Sequence, residues 1–305
     1  MRPVLASALH REGEPISLSS VRAELLKYVP GKRGVVVYEV AFAEAPQTSQ
    51  KIFGKLYRKE RGQAVFETLH ALWRTAQAER SCFALPQPLV YVAELGMVLQ
   101  RAAAGEALAS LSCAEDLFLA MQHTARGLAA LHRLPVQVGE TKSFEDHVRK
   151  YCHPGPEILA ETHRDLAPLL LELIAMMRAD IHARAIELCP VHGDLNLAQV
   201  FIAPENAVFI DFDGFCRSHA ALDVGNFLVT LAERFGEKSG ELRHAFLEAY
   251  LAAQSKPELP ALRVYQAFAY VRRAVISLRA PDEAGRNARA LKLLRAALAL
   301  MQTKA

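Results

Sequence analysis

The 305-residue sequence lacks any apolar run of the about 18–20 residues that cross a bilayer. Its opening, MRPVLASALHREGE, reaches charged residues too early for the apolar core of a secretory signal. Its five cysteines never form a CxxC pair, which argues against a metal cluster or a disulfide framework. We therefore expect a protein of the reducing cytoplasm with no membrane attachment.

The net charge of the sequence is also small. The formal value of +3 is too small to indicate nucleic-acid binding, and no pattern indicates an oligomeric state. The positive excess is concentrated near the C-terminus, where residues 215–305 hold 14 Lys or Arg against 8 Asp or Glu, about +6. A composition of 51% hydrophobic and 23% charged residues is that of an ordinary globular protein with one large or two modest domains.

The order of elements predicts an α+β fold. β-branched and aromatic residues indicate strands at residues 34–45, 51–57 and 89–101, with one amphipathic helix among them. Helical periodicity dominates from residue 112 almost to the end, interrupted by a strand-like island at 191–215. We predict a small strand-rich lobe, residues 1–98, followed by a larger, mainly helical lobe, residues 99–305.

The island reads VHGDLNLAQVFIAPENAVFIDFDGF and contains two short apolar strands. A hairpin centred on Glu205 would place Gln199 opposite Asp211, at a spacing of about 4.5–5.5 Å. Asp213 would point to the same side, and Asp194 lies just before the hairpin. Carboxylate and amide oxygens so placed suit one hard cation, and the alternative is a set of solvated turn acids.

The island resembles the aminoglycoside phosphotransferase/choline kinase-like superfamily, the small-molecule relatives of protein kinases. That family shows HGDxxxxN, a short hairpin, an IDxx acid and a later D-[LV]-[AG]-xF sequence; the matching residues here are 192–199, 210–213 and 223–227. Weaker similarity covers most of the chain, including GLAALHRLP at 127–135. The resemblance implies a two-lobed protein-kinase-like fold and an ATP- and Mg²⁺-dependent phosphorylation of a hydroxyl group on a small molecule.

The resemblance also implies roles for single residues. Asp194 would accept or orient the proton of the substrate hydroxyl. Asp211 and Gln199 would hold Mg²⁺, with Asp213 a further candidate, and Lys55 would bind the nucleotide phosphates. Gln199 replaces the more common Asn of the family, as in maltokinase-like members, and keeps a carbonyl oxygen for the metal.

Supporting roles are predicted for three more residues. We prefer Glu67 over Glu60 as the acidic partner of Lys55, because an acid on a helix is held rigidly. The alternative for Glu67 is an ordinary surface glutamate. His192 would brace its loop through hydrogen bonds rather than act as a base, and Asp223 would cap a helix or brace a loop.

Two segments are candidates for nucleotide contacts. Residues 28–34 stand where kinases place a phosphate-covering loop, so Lys32 and Arg33 are candidate phosphate ligands. The segment is not GxGxxG and is also compatible with a simple turn. Residues 97–100 would join the lobes and bind adenine through the backbone.

The substrate is constrained by charge. An excess of about +6 in the C-terminal third would repel a polycation, so a neutral sugar or an anionic hydroxyl compound fits better. The resemblance to maltokinase-like members favours a saccharide. Arg272, Arg273 and Arg279 would either meet an anion in the cleft or be solvated and paired with acids.

Two other functions, a pseudokinase and a protein kinase, make different predictions for the sequence. A pseudokinase that only binds nucleotide or protein would be indicated by loss of Asp194, Asp211 or Lys55, and all three are present. A protein kinase is not indicated, because the island carries HGD rather than HRD, and DFG and an activation segment between Asp211 and Asp223 are absent from the sequence.

Overall fold

The computed structural model describes residues 1–9, 16–31, 33–45, 47–185, 187–254, 258–279 and 283–303, with the backbone alone at 59, 60, 283 and 284. Lys32, a predicted phosphate ligand, lies outside the described residues. Within these ranges, no helix combines the length and the apolarity needed to cross a bilayer.

An antiparallel five-stranded sheet, ordered β1-β2-β3-β6-β5, forms the N-terminal part. Its strands are β1 (Leu18–Val29), β2 (Arg33–Phe42), β3 (Ser49–Leu56), β5 (Pro88–Val92) and β6 (Met97–Arg101). Because side chains alternate along a strand, Leu99 packs with helix α1 (Arg2–Ala8), whereas Val98 packs with α2 (Lys59–Ala78). The sheet therefore carries a helix on each face.

The position of strand β6 contradicts the prediction that residues 97–100 join the two lobes. Residues 97–100 lie inside the sheet, between β3 and β5, and do not join the two parts of the molecule. The connection follows the strand, at residues 102–105. The predicted lobe boundary at residues 98 and 99 stays a prediction, and the sheet extends through Arg101.

The C-terminal part is mainly helical. Its helices are α3 (Ala114–His132), α4 (Phe144–Tyr151), α5 (Pro156–Thr162), α6 (Ala167–His182), α7 (Ala221–Phe235), α8 (Ser239–Ala252), α9 (Leu262–Ser277) and α10 (Glu283–Gln302). One apolar cluster joins α3, α7 and α8 through Leu128, Phe227 and Phe246, and another joins α4, α6, α9 and α10. Burial of each such side chain contributes about 1.5–3 kcal/mol, so these clusters fix the frame around the site. The predicted division into a strand-rich and a helical part is confirmed.

Short strands inside the helical part hold two loops side by side. They are β4 (Phe83–Ala84), β7 (Glu106–Ala107), β8 (Cys189–Val191), β9 (Val200–Ile202), β10 (Ala207–Phe209) and β11 (Cys216–Ser218). Strands β9 and β10 form the predicted hairpin, and β8 pairs with β11. The HGD loop (residues 192–199) connects β8 to β9, and the DFD loop (residues 210–215) connects β10 to β11.

Candidate active site

A buried carboxylate holds the HGD loop in place. Asp223, in the first turn of α7, accepts the backbone N–H groups of His192 (2.6 Å) and Gly193 (2.8 Å), and His132 Nε2 lies 3.2 Å away. Burial alone would raise the pKa of Asp223, but the hydrogen bond and charge of His132, with smaller contributions from His192 and Gly193, lower it. Asp223 is therefore an ionised loop brace, one of its two predicted roles.

His192 is a second brace. Its side chain is fully buried, and Nε2 donates to the carbonyl of Ile210 at 2.8 Å, which ties the HGD loop to the DFD loop. Asn226 adds a further tie by donating to the carbonyl of Leu195 at 2.6 Å. His192 therefore makes the loop-bracing hydrogen bond that the sequence predicted.

Close backbone contact between the two loops requires glycine. Gly193 has φ of +79°, and a Cβ there would overlap the carbonyl oxygen of Gly214. Since Asp194 follows Gly193 and Asp213 precedes Gly214, this contact brings the HGD acid close to the acids of the DFD loop. Any other residue at 193 would separate them.

Asp211 and Asp213 form an acid pair beside Lys55. The Lys55 ammonium contacts Asp211 Oδ1 and lies 2.8 Å from Asp213 Oδ2, so a single cation reaches both carboxylates. Burial alone would raise the pKa of Asp211, but the charge and hydrogen bond of Lys55, then the charges of His192 and Arg33, lower it. Asp211 is therefore ionised, and its own backbone is left-handed (φ 67°, ψ 53°), a conformation that few non-glycine residues adopt.

Tyr57 completes the acid pair, and sequence reasoning missed it. Its hydroxyl donates to Asp213 Oδ1 at 2.6 Å. Burial, followed by the neighbouring Asp213, raises the pKa of Tyr57, so the phenol keeps its proton. The available signal was its position: Lys55 and Tyr57 are two residues apart at the end of β3.

The hairpin register corrects the prediction for Gln199. The strands pair one residue out of the predicted register, so Gln199 lies opposite Ile210, whose N–H donates to the Gln199 backbone carbonyl at 3.0 Å. The predicted position opposite Asp211 is wrong, because the loop is centred between Pro204 and Glu205 rather than on Glu205: the Ala203 N–H donates to the Asn206 carbonyl at 3.0 Å. The buried Gln199 side chain accepts the Asn196 N–H through Oε1 at 3.0 Å, and a second lone pair remains on that oxygen.

Glu67 is not brought to Lys55. It lies on an exposed face of α2 and accepts a hydrogen bond from Gln63 at 2.9 Å, the alternative that sequence analysis left open. The ion pairs of Lys55 in the described part of the chain are with Asp211 and Asp213. The side chain of Glu60, the other candidate, lies outside the described residues.

Asp194 faces a cationic and aromatic environment. Arg272 of α9 pairs with Asp194 Oδ1, and its guanidinium lies 3.8 Å from the ring centroid of Tyr151. The Tyr151 hydroxyl donates to the carbonyl of Gly193, the residue before Asp194. Each of the three arginines singled out in the sequence therefore has a partner: Arg272 pairs with Asp194, Arg273 pairs with Glu233 at 2.8 Å, and Arg279 donates to a backbone carbonyl.

Two buried histidines near the site should make stability depend on pH. Burial lowers the pKa of His147 and of His219 to about 4, assisted by the nearby charges of Lys150 and His132 respectively. Since each folded pKa lies below the unfolded value, the unfolded chain binds more protons as the pH falls. We expect a loss of about 1 kcal/mol per histidine between about pH 6 and about pH 5.

Denaturant unfolding at the two pH values measures this loss. His147→Gln serves as the control, because it removes one of the two titrating groups and should reduce the slope by about half. A stability that is flat over this range would contradict the expectation.

The comparisons with known proteins identify the family and the fold. Residues 40–268 match the phosphotransferase enzyme family, whereas no curated protein matches the sequence significantly. A choline/ethanolamine kinase family protein from Mesorhizobium loti has a TM-score of 0.61 at 14% identity, over 99% of this chain and 96% of that one. The choline kinase LicA from Streptococcus pneumoniae gives 0.61 at 12% identity, over 91% and 95%.

A third solved structure, the amicoumacin kinase hAmiN in complex with AMP-PNP and Ca²⁺, gives a TM-score of 0.64 at 14% identity, over 90% of this chain and 87% of that one. At such identities the structural matches show the fold, which is the two-lobed kinase-like fold predicted from the sequence. The family match spans most of the chain and confirms the predicted enzyme class. The chain belongs to the phosphotransferase enzyme family.

Proposed function

We propose that the protein transfers the γ-phosphoryl group of ATP, with Mg²⁺, to a hydroxyl group of a small molecule in the cytoplasm. The observation that carries the proposal is the backbone contact of Gly193 with Gly214, which holds Asp194 beside the acid pair and Lys55. Phosphoryl transfer depends mainly on positioning and charge neutralisation, and these groups are the ones it requires.

The acid pair fits a magnesium ion. Asp211 is ionised, and Lys55 contacts both carboxylates, so they are spaced to share one cation. The described residues contain no group of three His, Cys, Asp or Glu side chains that would hold a metal by themselves. Mg²⁺ commonly binds through one or two carboxylates, water and substrate phosphates, and when bound it neutralises phosphate charge.

The remaining roles follow from position. Asp194 accepts or orients the proton of the acceptor hydroxyl, and Lys55 moves from the acid pair to the nucleotide phosphates. Arg33, whose charge already reaches Asp211, is placed to contact the same phosphates. The amicoumacin kinase solved with AMP-PNP and Ca²⁺ supports the use of nucleotide and divalent metal.

A saccharide acceptor belongs to the proposal, supported by the Gln199 variant that resembles maltokinase-like members. Choline and ethanolamine kinases among the structural matches keep an amino alcohol as the second candidate. The pseudokinase alternative is disfavoured, because Asp194, Asp211 and Lys55 are all present and Lys55 pairs with Asp211.

A transfer assay tests the function. The protein is incubated with Mg·ATP and a panel of sugars, hydroxy acids and amino alcohols, and ADP and the phosphorylated product are measured together. Phosphorylation of at least one acceptor, abolished by EDTA, is expected. Binding of Mg·ATP without transfer to any acceptor would favour the pseudokinase alternative instead.

We further propose that Gln199 Oε1 uses its second lone pair on the metal. Gln199→Asn retracts the oxygen by about 1.5 Å, and Mg²⁺ demands near-ideal octahedral geometry. We expect lower activity with Mg²⁺ and partial recovery with Mn²⁺. Equal responses to both metals would show that Gln199 only braces Asn196.

A further inference from the structure

Cationic side chains of α4 and α9 lie near Asp194. Arg272 and Lys150 both contact the ring of Tyr151, with the guanidinium 3.8 Å and the ammonium 4.8 Å from its centroid. Lys142 lies near enough for its charge to act on Lys150, as do the charges of Asp194 and Arg272. Arg272 thus pairs with Asp194 directly, Lys150 shares the Tyr151 ring with Arg272, and Lys142 lies near Lys150.

The acids nearby do not balance these cations. Asp194 pairs with Arg272, and the pair of Lys142 with Glu140 is long, 3.7 Å, with the Glu140 side chain 86% exposed. Such an exposed pair contributes little. Lys150 has no acid within 4.0 Å among the residues that the structure describes.

The Lys150 side chain is exposed, so a ligand can reach its ammonium. Desolvation by the atoms packed around the ammonium, then the charge of Lys142, lowers its pKa. Arg149, its neighbour in α4, is exposed as well but pairs with Asp146 of the same helix. An unpaired ammonium beside a guanidinium is an arrangement that binds a carboxylate or a phosphate.

We propose, building on the proposed function, that the acceptor is a hydroxylated anion. Its carboxylate or phosphate contacts Lys150, Lys142 and the unused donors of Arg272, while its hydroxyl reaches Asp194. A sugar acid, a sugar phosphate or a hydroxy acid carries both groups. A cationic acceptor would be repelled by the same three side chains.

The test compares four probes with one skeleton: glucose, glucuronate, glucose 6-phosphate and glucosamine. Calorimetry measures their affinities for the protein with and without Mg·AMP-PNP. At least one of the two anions is expected to bind about tenfold or more tightly than glucose, more weakly as salt rises, and glucosamine least. Comparing glucuronate with glucose 6-phosphate distinguishes the carboxylate from the phosphate.

Lys150→Gln should weaken binding of the preferred anion about tenfold or more, because a charge-assisted hydrogen bond is lost, and should leave glucose unchanged. Arg149→Gln is the matched control and should change neither. Absence of anion binding, equal binding of glucose or glucosamine, or equal effects of the two variants would overturn the proposal. Weakened Mg·AMP-PNP binding in Lys150→Gln would also overturn it, by assigning the cluster to the nucleotide.

The same titrations separate this inference from the function on which it rests. Mg·AMP-PNP that binds while no anion does would refute only the anionic acceptor. An anion that binds while Mg·AMP-PNP does not would refute the phosphotransferase mechanism and leave the anion site standing.

Discussion

Replacing Asp194 with Asn is expected to lower kcat about 10²–10⁴-fold while leaving the affinity for Mg·nucleotide unchanged. Asparagine keeps the shape of the side chain but cannot accept the hydroxyl proton as a carboxylate does. Asp194 is separate from the acid pair, and its contact is with Arg272, so the metal ligands keep their positions. Steady-state kinetics with the acceptor found in the transfer assay, together with nucleotide calorimetry, measures both quantities.

The control for this substitution is Asp165→Asn, which removes a carboxylate from an exposed turn and should leave kcat unchanged. Thermal unfolding of both variants checks that the lost Asp194–Arg272 pair has not unfolded the protein. Near-normal turnover in Asp194→Asn would remove this residue from the mechanism.

Asp211→Asn should weaken Mg²⁺-dependent nucleotide binding at least about a hundredfold, because an ionised ligand of the metal becomes neutral. Asparagine is the informative replacement at this position. It tolerates the left-handed backbone of Asp211 nearly as well as aspartate does, whereas alanine adds strain of about 1–2 kcal/mol.

Calorimetry with Mg·ATP measures the loss of affinity, and unfolding experiments measure the loss of stability. Asp211→Asn should lose affinity with little loss of stability, and Asp211→Ala should lose both. Unchanged Mg·ATP affinity in Asp211→Asn would show that the ion is held elsewhere.

Composition and periodicity were sufficient to predict the strand-rich and helical parts, because the buried faces of β2, β3 and α2 carry regular apolar patterns. Strand β1 escaped prediction. Most of its side chains are exposed, and without one buried face there is no alternation to detect; its pairing with β2 rests on backbone hydrogen bonds.

The site was predictable in its motifs but not in its partners. Asp194, Asp211, Asp213 and Lys55 come together because short motifs fix loops locally. The register of the hairpin depended on the residues that form its loop, and a shift of one residue displaced Gln199 from its predicted position. The partner of Lys55 depended on the distance between a strand and a helix, which a sequence pattern does not contain.

The position of Lys55 between two carboxylates has a thermodynamic consequence for the proposed reaction. A divalent cation that arrives alone meets acids whose charge is already partly balanced by the ammonium. Nucleotide phosphates draw Lys55 towards themselves and return that negative charge to the acids. Metal and nucleotide should therefore bind cooperatively, each strengthening the other by the same factor, so that the acid pair responds to the two ligands together far more than to either one.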